Sequence, residues 1–438
     1  MNEERTAIQW LEAVHSGRTT SKAIMAHFLS RIAALEPRVH AWAHLAEDKA
    51  RAEADRLDDQ AISGPLHGLP VGVKDLFDTC DMPTGYGSDI YRGHRPPSDA
   101  AVVALIRRSG GIVPGKTVTT EFAFFTPGKT RNPHDLGRTP GGSSSGSAAA
   151  VAAGMVPLAL GTQTAGSIIR PASYCGIVGY KPSVGLISPA GLKMASWSLD
   201  TVGVFARTVP DAALLGSVLT GRTLPGTSSG LLRPPRIGIC RTPQWSEAEE
   251  STRAAIGEAR RRLLDAGASV SDVDLPAPFD GLLGAQHVIM VHEAARSLAF
   301  ERDRHADLIS DRLLELIDEG GRTPVERYDE AQHLARICRK RLGRVFANVD
   351  VLLTPSAVGE APVLAEGTGN PVFNRIWTLL GTPCVNLPGL SGPGRLPVGV
   401  QVIGPLRHDE RTLSWAQWIA SRIDPDGPVF PGAASPLR

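Results

Sequence analysis

Apolar residues recur along this chain with two periods, and the alternation between those periods predicts its elements. "AIMAHFLSRIAAL" (23–35) repeats apolar positions every three to four residues. With Thr20 or Ser21 as cap it predicts a helix over 20–36. "MNEERTAIQWLEAV" predicts an earlier amphipathic helix over 3–16. "LPVGVKDLFD" (69–78) reads as a strand entering the core. "AAVVALIRRSGGIVPGKT" (100–117) reads as a helix, a Gly-Gly stop and a short strand. "GSAAAVAAGMVPLALGTQT" predicts a helix ending near Gly154 and a strand at 156–160. Further strands are predicted at 236–240, in "ASVSDVDL", at 350–357 and at 397–404.

Strands alternate with helices, so the class is α/β with a mostly parallel or mixed sheet. Residues 283–347 break the alternation. They read as almost wholly helical and rich in Arg, Glu and Leu. Such a segment covers the sheet, and part of it can also wall or lid a substrate pocket. No internal repeat or long low-complexity linker divides the chain, so residues 1–438 are expected to form a single domain.

Composition narrows the function. The chain has 438 residues, 42% hydrophobic and 21% charged, as an ordinary globular protein has. A net charge of +1 argues against a nucleic-acid partner. Cys80, Cys175, Cys240, Cys338 and Cys384 are scattered, odd in number and without a CxxC pair. With no signal peptide, they point to a reducing cytoplasm. No apolar run reaches the length of a membrane span. No HExxH, EF-hand or Cys/His cluster is present, so neither a metal nor an organic cofactor is expected. Only eight of the 46 basic residues are lysines, which makes each buried-looking lysine worth following.

"GGSSSGSAAAVAAG" (141–154) admits several readings. A flexible linker would interrupt an α/β unit, because a compact Ala-rich helix and an apolar strand follow at once. A phosphate loop lacks GxxxxGK[ST] and GxGxxG. Gly142-Ser143-Ser144-Ser145-Gly146 satisfies G-x-S-x-G with Ser144 as nucleophile. That elbow needs a strand before it, and here the preceding residues are polar and contain proline. Its triad would draw on His408 and Asp409, which stand in no recognisable context. A second serine, Ser167, ends "TAGS" in a small-residue turn after a buried strand. Such a turn lets a substrate carbonyl approach backbone N–H groups, though small residues also make ordinary tight turns.

The two serine motifs together, 24 residues apart, resemble the amidase signature family. The resemblance extends over most of the chain. It includes "GLPVGVKDLFDTCDMPT", "TEFAFFTPGKTRNPHDLGRTPGGSSSGSAAAVAAG", "GSIIRPASYCGIVGYKPS", "SLDTVGVFARTVPDAALL" and "LPVGVQVIGP". It implies a large mixed, mostly parallel central sheet covered by helices on both faces. It also implies a serine–cis-serine–lysine triad: Ser167 as nucleophile, Ser143 as the bridging serine after a cis bond, Lys74 as base. N–H groups of Thr164, Ala165, Gly166 and Ser167 would form the oxyanion hole. Ala123, Phe124 and Phe125 are candidate substrate-binding residues. Phe124, Phe125 and Trp197 hint at an apolar or aryl pocket, and each serves equally well as core.

The residue chemistry can be weighed separately. A lysine base must be neutral, which burial favours. Lys74 follows Val71 and Val73 on an interior strand, so its amine would be desolvated. Equally, it could emerge at the strand end and pair with Asp75 or Asp78. Three positions depart from the common family pattern. Gln163 replaces a carboxylate, Ala165 adds a methyl at the turn, and Arg170 stands three residues after the nucleophile rather than two. The expected function is hydrolysis of a small-molecule amide, possible also for esters or carbamates, by a cytoplasmic monomer or homodimer. The alternative is an amidotransferase subunit that releases ammonia for a partner.

Overall fold

A capping box starts the first helix. Thr6 accepts from the Gln9 backbone N–H, and the Gln9 side chain reaches back to Thr6. The computed structural model describes residues 5–225, 233–425 and 427. Glu3 and Glu4, the first residues of the helix expected over 3–16, lie outside the described residues. The helix itself, α1, is Ala7–His15. Thr20 caps α2 (Ser21–Val39), and left-handed His40 ends it.

The first half continues with β1 (Trp42–Leu45), α3 (Glu47–Asp58), β2 (Val71–Lys74), α4 (Ala101–Arg108) and β3 (Gly115–Thr117). There follow α5 (Ser145–Ala152), β4 (Leu158–Gln163), α6 (Ile169–Tyr174), β5 (Val178–Lys181), β6 (Thr201–Ala206) and α7 (Val209–Thr220). The second half opens with β7 (Arg236–Ile239), α8 (Glu250–Asp265) and β8 (Ser269–Asp272). Four helices come next: α9 (Leu282–Ser297), α10 (Ala299–His305), α11 (Asp311–Arg322) and α12 (Val325–Val345). The described chain then adds β9 (Val351–Pro355), α13 (Val372–Leu380), β10 (Cys384–Leu387), β11 (Val400–Ile403) and α14 (Asp409–Ile423).

Among the described residues, eleven strands form one sheet in the order β1-β3-β2-β4-β6-β5-β10-β11-β9-β7-β8. The sheet is mixed, as expected, but the parallel share is smaller than expected. Parallel pairing is confined to β3-β2-β4 on one wing and β9-β7-β8 on the other. The centre, from β4 through β6, β5, β10 and β11 to β9, is antiparallel throughout. The physical reason lies in β5, β6 and β10. They pair antiparallel with their neighbours, which needs no helical crossover, so counting strand–helix alternations passes over them.

Helices cover both faces. One apolar cluster joins the sheet to α1, α4, α7 and α14. The other joins it to α5, α9, α12 and α13. Side chains alternate along a strand. Val71 and Val73 pack into the first cluster, so Lys74 turns to the α5 side. Helix α5 is buried along its whole length and made of small residues. It sits close because Gly146 has no Cβ; one there would lie 2.3 Å from the Ala41 carbonyl oxygen.

The helical reading of 283–347 holds: α9 to α12 follow with no strand among the described residues. Their contact is tightest at Gly320 in α11. A Cβ at Gly320 would fall 1.8 Å from the Val291 carbonyl oxygen of α9. Gly320→Ala is therefore expected to lower stability by about 1–3 kcal/mol through overpacking. Helix propensity alone would raise it by about 1 kcal/mol. Thermal or denaturant unfolding of the variant reads the sign.

Candidate active site

Strand β2 ends on Lys74, and the strand's alternation aims the side chain at the N-terminal end of α5. There the chain takes a cis peptide bond between Gly142 and Ser143. Lys74 Nζ is hydrogen-bonded to Ser143 Oγ at 2.7 Å and to Thr162 Oγ1 at 2.7 Å. The amine is fully buried. Burial holds its pKa well below the ordinary lysine value, and Asp200 opposes this more weakly from a distance. Asp75 and Asp78 are engaged elsewhere. Asp75 pairs with Lys116 at 3.2 Å, and Asp78 accepts from the Tyr86 hydroxyl at 2.7 Å. Lys74 is thus the desolvated amine rather than the strand-end ion pair.

Each serine of the run has its own placement. The Ser143 carbonyl accepts from the Thr120 N–H at 3.2 Å. Ser144 is buried, and its hydroxyl bonds both the N–H and the carbonyl of Thr162 at 3.2 Å. Ser147 donates to the Leu160 carbonyl at 2.7 Å. Ser144 and Ser147 therefore fasten α5 to β4, and no strand leads into Ser144 as an elbow requires. Asp409 is occupied by Tyr180 and Ser183.

The turn after β4 is held by its carbonyls. Thr164 O accepts from Gln286 Nε2 at 3.1 Å, and Ala165 O from the Thr378 hydroxyl at 2.8 Å. Gly166 O accepts from the Arg170 N–H at 2.9 Å. The carbonyls are thus engaged, while the N–H groups of Ala165, Gly166 and Ser167 have no acceptor among the described residues. Gly166 needs its bare Cα, since a Cβ would lie 2.4 Å from Asn374 Oδ1. Ser167 is 6% exposed and stands just before α6.

Two departures from the common motif acquire physical roles here. Gln163 Oε1 accepts from the N–H groups of Ile168 and Ile169 at 2.9 and 3.0 Å, capping α6 as a carboxylate would. Its Nε2 also donates to Thr378 at 2.9 Å, which a carboxylate could not do. Arg170 donates to the Gly142 carbonyl at 2.7 Å and the Gly369 carbonyl at 2.8 Å. It ties the cis bond to the loop before α13. Burial pushes its pKa down to about 10.

Ala123 is left-handed with φ 66°. Phe124 is buried against the core, and Phe125 lies partly buried beneath the Arg312 guanidinium, 4.5 Å away. Trp197 is instead 47% exposed. Its neighbours Ser196 and Ser198 are both bonded to the buried carboxylate of Glu293.

Sequence reasoning passed over Thr162, Asp200 and Gln286. Asp200 accepts from the Thr164 hydroxyl at 2.5 Å and from the N–H groups of Ala195 and Ser196. Its signal was within "SLDTVG", where an acid interrupts an apolar run. Gln286 lies on a helix 122 residues from Thr164 and gave no signal.

A serine-rich cis turn is thus set against a buried lysine on one wing of the sheet. Comparison with known proteins gives the family: a family model described as Amidase matches residues 23–413, and the chain belongs to that family. It is 33% identical to one subunit of a glutamyl-tRNA(Gln) amidotransferase from Synechococcus sp. (strain RCC307), across 95% of this chain and 96% of that one. A native peptide amidase from Stenotrophomonas maltophilia superposes with a TM-score of 0.85 and 29% identity, covering 99% of both chains. A 6-aminohexanoate cyclic dimer hydrolase complexed with substrate gives a TM-score of 0.88 at 25% identity, over 97% of this chain and 98% of that one. No helix among the described residues is long and apolar enough to cross a membrane.

The depressed pKa of Lys74 has a consequence for stability. At high pH both folded and unfolded chains carry a neutral amine. As pH falls below the ordinary value of 10.5, the unfolded chain takes up a proton that the folded chain refuses. Stability is lost through that window and levels off below the folded pKa. Lys74→Met is therefore expected to unfold at an equal or higher temperature than wild type at pH 7. Its advantage should shrink towards pH 10. Melting curves across pH 6–10 test this, and a methionine variant that is less stable throughout would contradict it.

Proposed function

We propose that this enzyme hydrolyses carboxylic amides through a serine acyl-enzyme, with Ser167 as nucleophile, Ser143 as proton relay and Lys74 as base. The observation that carries the reading is the buried Lys74 amine in hydrogen-bond contact with Ser143. A neutral amine has a lone pair to accept a proton. In the reaction, Ser167 Oγ attacks the amide carbon while its proton passes to Ser143 and the Ser143 proton to Lys74. The carbonyl π electrons move to oxygen, and N–H groups from Thr164 to Ser167 receive that oxyanion. Collapse breaks the C–N bond, and the relay returns the proton to the departing amine. Water then attacks the ester by the same route and frees the acid.

Esters and carbamates fit the same chemistry, because both pass through a tetrahedral oxyanion. Ala123, Phe124 and Phe125 belong to this reading as residues at the substrate. So do action without metal or organic cofactor, and one domain acting as a monomer or homodimer in the cytoplasm. In support of a single domain, the sheet draws its strands from Trp42 to Ile403.

The second reading is an amidotransferase subunit, favoured by the name of the 33%-identical relative. It predicts little turnover of free amides by the isolated chain and copurification with partner subunits. A screen of aryl amides, aliphatic amides, esters and carbamates with the chain alone separates the two.

Ser167→Ala is expected to lose activity by about a thousandfold or more while keeping the wild-type fold by circular dichroism. A variant retaining more than a few per cent removes Ser167 from the nucleophile role. The rate of wild type should rise with pH as Lys74 loses its proton, with a midpoint below the ordinary lysine value. Lys74→Arg should not restore turnover, because arginine stays protonated. An arginine variant near wild-type turnover would end the relay mechanism. EDTA treatment should leave the rate unchanged; loss on chelation with recovery on adding a metal would overturn the cofactor-free reading.

A further inference from the structure

Helix α13 brings an arginine without a counter-ion to the turn that ends on Ser167. Asn374, one residue earlier, packs against Gly166, and Thr378, one turn later, donates to the Ala165 carbonyl. Between them stands Arg375. Its Nε donates to Gln286 Oε1, and the other end of that fully buried amide donates to the Thr164 carbonyl at 3.1 Å. Arg375 thus sits one amide away from the turn.

Its remaining donors are unspent. Nη2 is buried and has no acceptor among the described residues. No carboxylate among the described residues forms an ion pair with Arg375. Its pKa is lowered to about 10, by burial alone, which leaves it charged at neutral pH. A partly buried charge normally has a partner, because losing water uncompensated is costly. Arg170 shows the contrast: it also lacks an acidic partner, but its two Nη nitrogens are spent on the carbonyls of Gly142 and Gly369. The carboxylate bonded to the turn, Asp200, is taken up by Thr164, Ala195 and Ser196. It does not reach across to neutralise Arg375.

A guanidinium with free N–H groups in a fork matches a carboxylate in two parallel hydrogen bonds. We propose that Arg375 is a specificity-determining residue that receives a carboxylate on the substrate, so that the preferred amides are anionic. The proposal rests on the amide-hydrolase reading above and names the substrate class of that same site. The carboxylate supplies the missing counter-charge, and Gln286 holds the guanidinium in register with the oxyanion turn. A neutral amide of equal length would leave the charge unpaired and so bind less well.

The test compares the monoamides of succinic and glutaric acids with butyramide and valeramide, in wild type, Arg375→Gln and Arg375→Lys. In wild type the acid-bearing amides should have the higher kcat/KM. In Arg375→Gln the ratio of kcat/KM, acid-bearing over neutral, should fall by about tenfold or more, mostly through KM, with Arg375→Lys between. An arginine that only braces Gln286 would lower both substrates together and leave the ratio unchanged, and that result overturns the proposal. Binding is read separately, by the thermal shift that succinamate and glutaramate give at millimolar concentration. If wild type turns over none of the four amides, the hydrolase reading fails for these probes and binding alone decides. A shift in wild type that is lost in Arg375→Gln sustains the carboxylate site. No shift in wild type, or an equal shift in both proteins, removes it.

Discussion

The structure around the site depends on keeping one amine out of water. Among the described residues Lys74 Nζ bonds two hydroxyls, Ser143 and Thr162, and no carboxylate. A charged ammonium there would be compensated by Asp200 from a distance and not by contact, so burial favours the neutral form. The surrounding elements follow from that constraint. Small residues along α5 let the helix close over the end of β2, and Gly146 allows its backbone to touch its neighbours. Lys116, on the neighbouring strand β3, shows the opposite solution. It is buried too, but with Asp75 beside it and the Phe77 carbonyl and Thr84 hydroxyl as acceptors.

The same economy governs the turn at Ser167. Its carbonyls are held by Gln286, Thr378 and Arg170, while the N–H groups of Ala165, Gly166 and Ser167 have no acceptor among the described residues. Two of these partners, Gln286 and Thr378, come from distant parts of the chain, and Arg170 from the first turn of α6. The turn is therefore held largely by tertiary structure rather than by its own sequence. That explains how Ala165 and Gln163 are accommodated. Ala165 is fixed through its carbonyl, which any residue has. Gln163 keeps the acceptor that caps α6 and gains a donor to α13.

Much of this was legible in the residues. Periodicity located α1, α2, α4, α5 and the helical stretch from α9 to α12. It located β2, β4, β7, β9 and β11 because they are short apolar runs between turn residues. It did not register β1, β5, β6 and β10, and with them the antiparallel centre of the sheet. Glycine and tyrosine in "IVGYK" and glycine in "TVGVF" break the alternation that marks a strand. The lysine and the cis serine were readable through the resemblance to the amidase signature family. Thr162, Gln286 and Arg375 were not, since their meaning comes from contacts between strand β4, α9 and α13 that no local pattern encodes.

Long-range contacts of this kind join the site to the rest of the chain. The amine and the small-residue turn lie at the ends of β2 and β4, neighbours in the sheet, and the cis turn leads into α5, which is bonded to β4. Other groups bonded to these elements come from elsewhere: Gln286 on α9 reaches the Thr164 carbonyl, Arg375 on α13 reaches Gln286, and the loop before β6 carries Trp197. Glu293 on α9 bonds that loop at Ser196 and Ser198, and Tyr328 on α12 bonds Glu293 in turn at 2.9 Å. The helical cover is therefore tied to the loop before β6 through the buried Glu293 carboxylate, not laid over it. Such bonds are costly to leave half-made. A change at Glu293 then falls on the Ser196–Ser198 loop and on Tyr328 of α12 together.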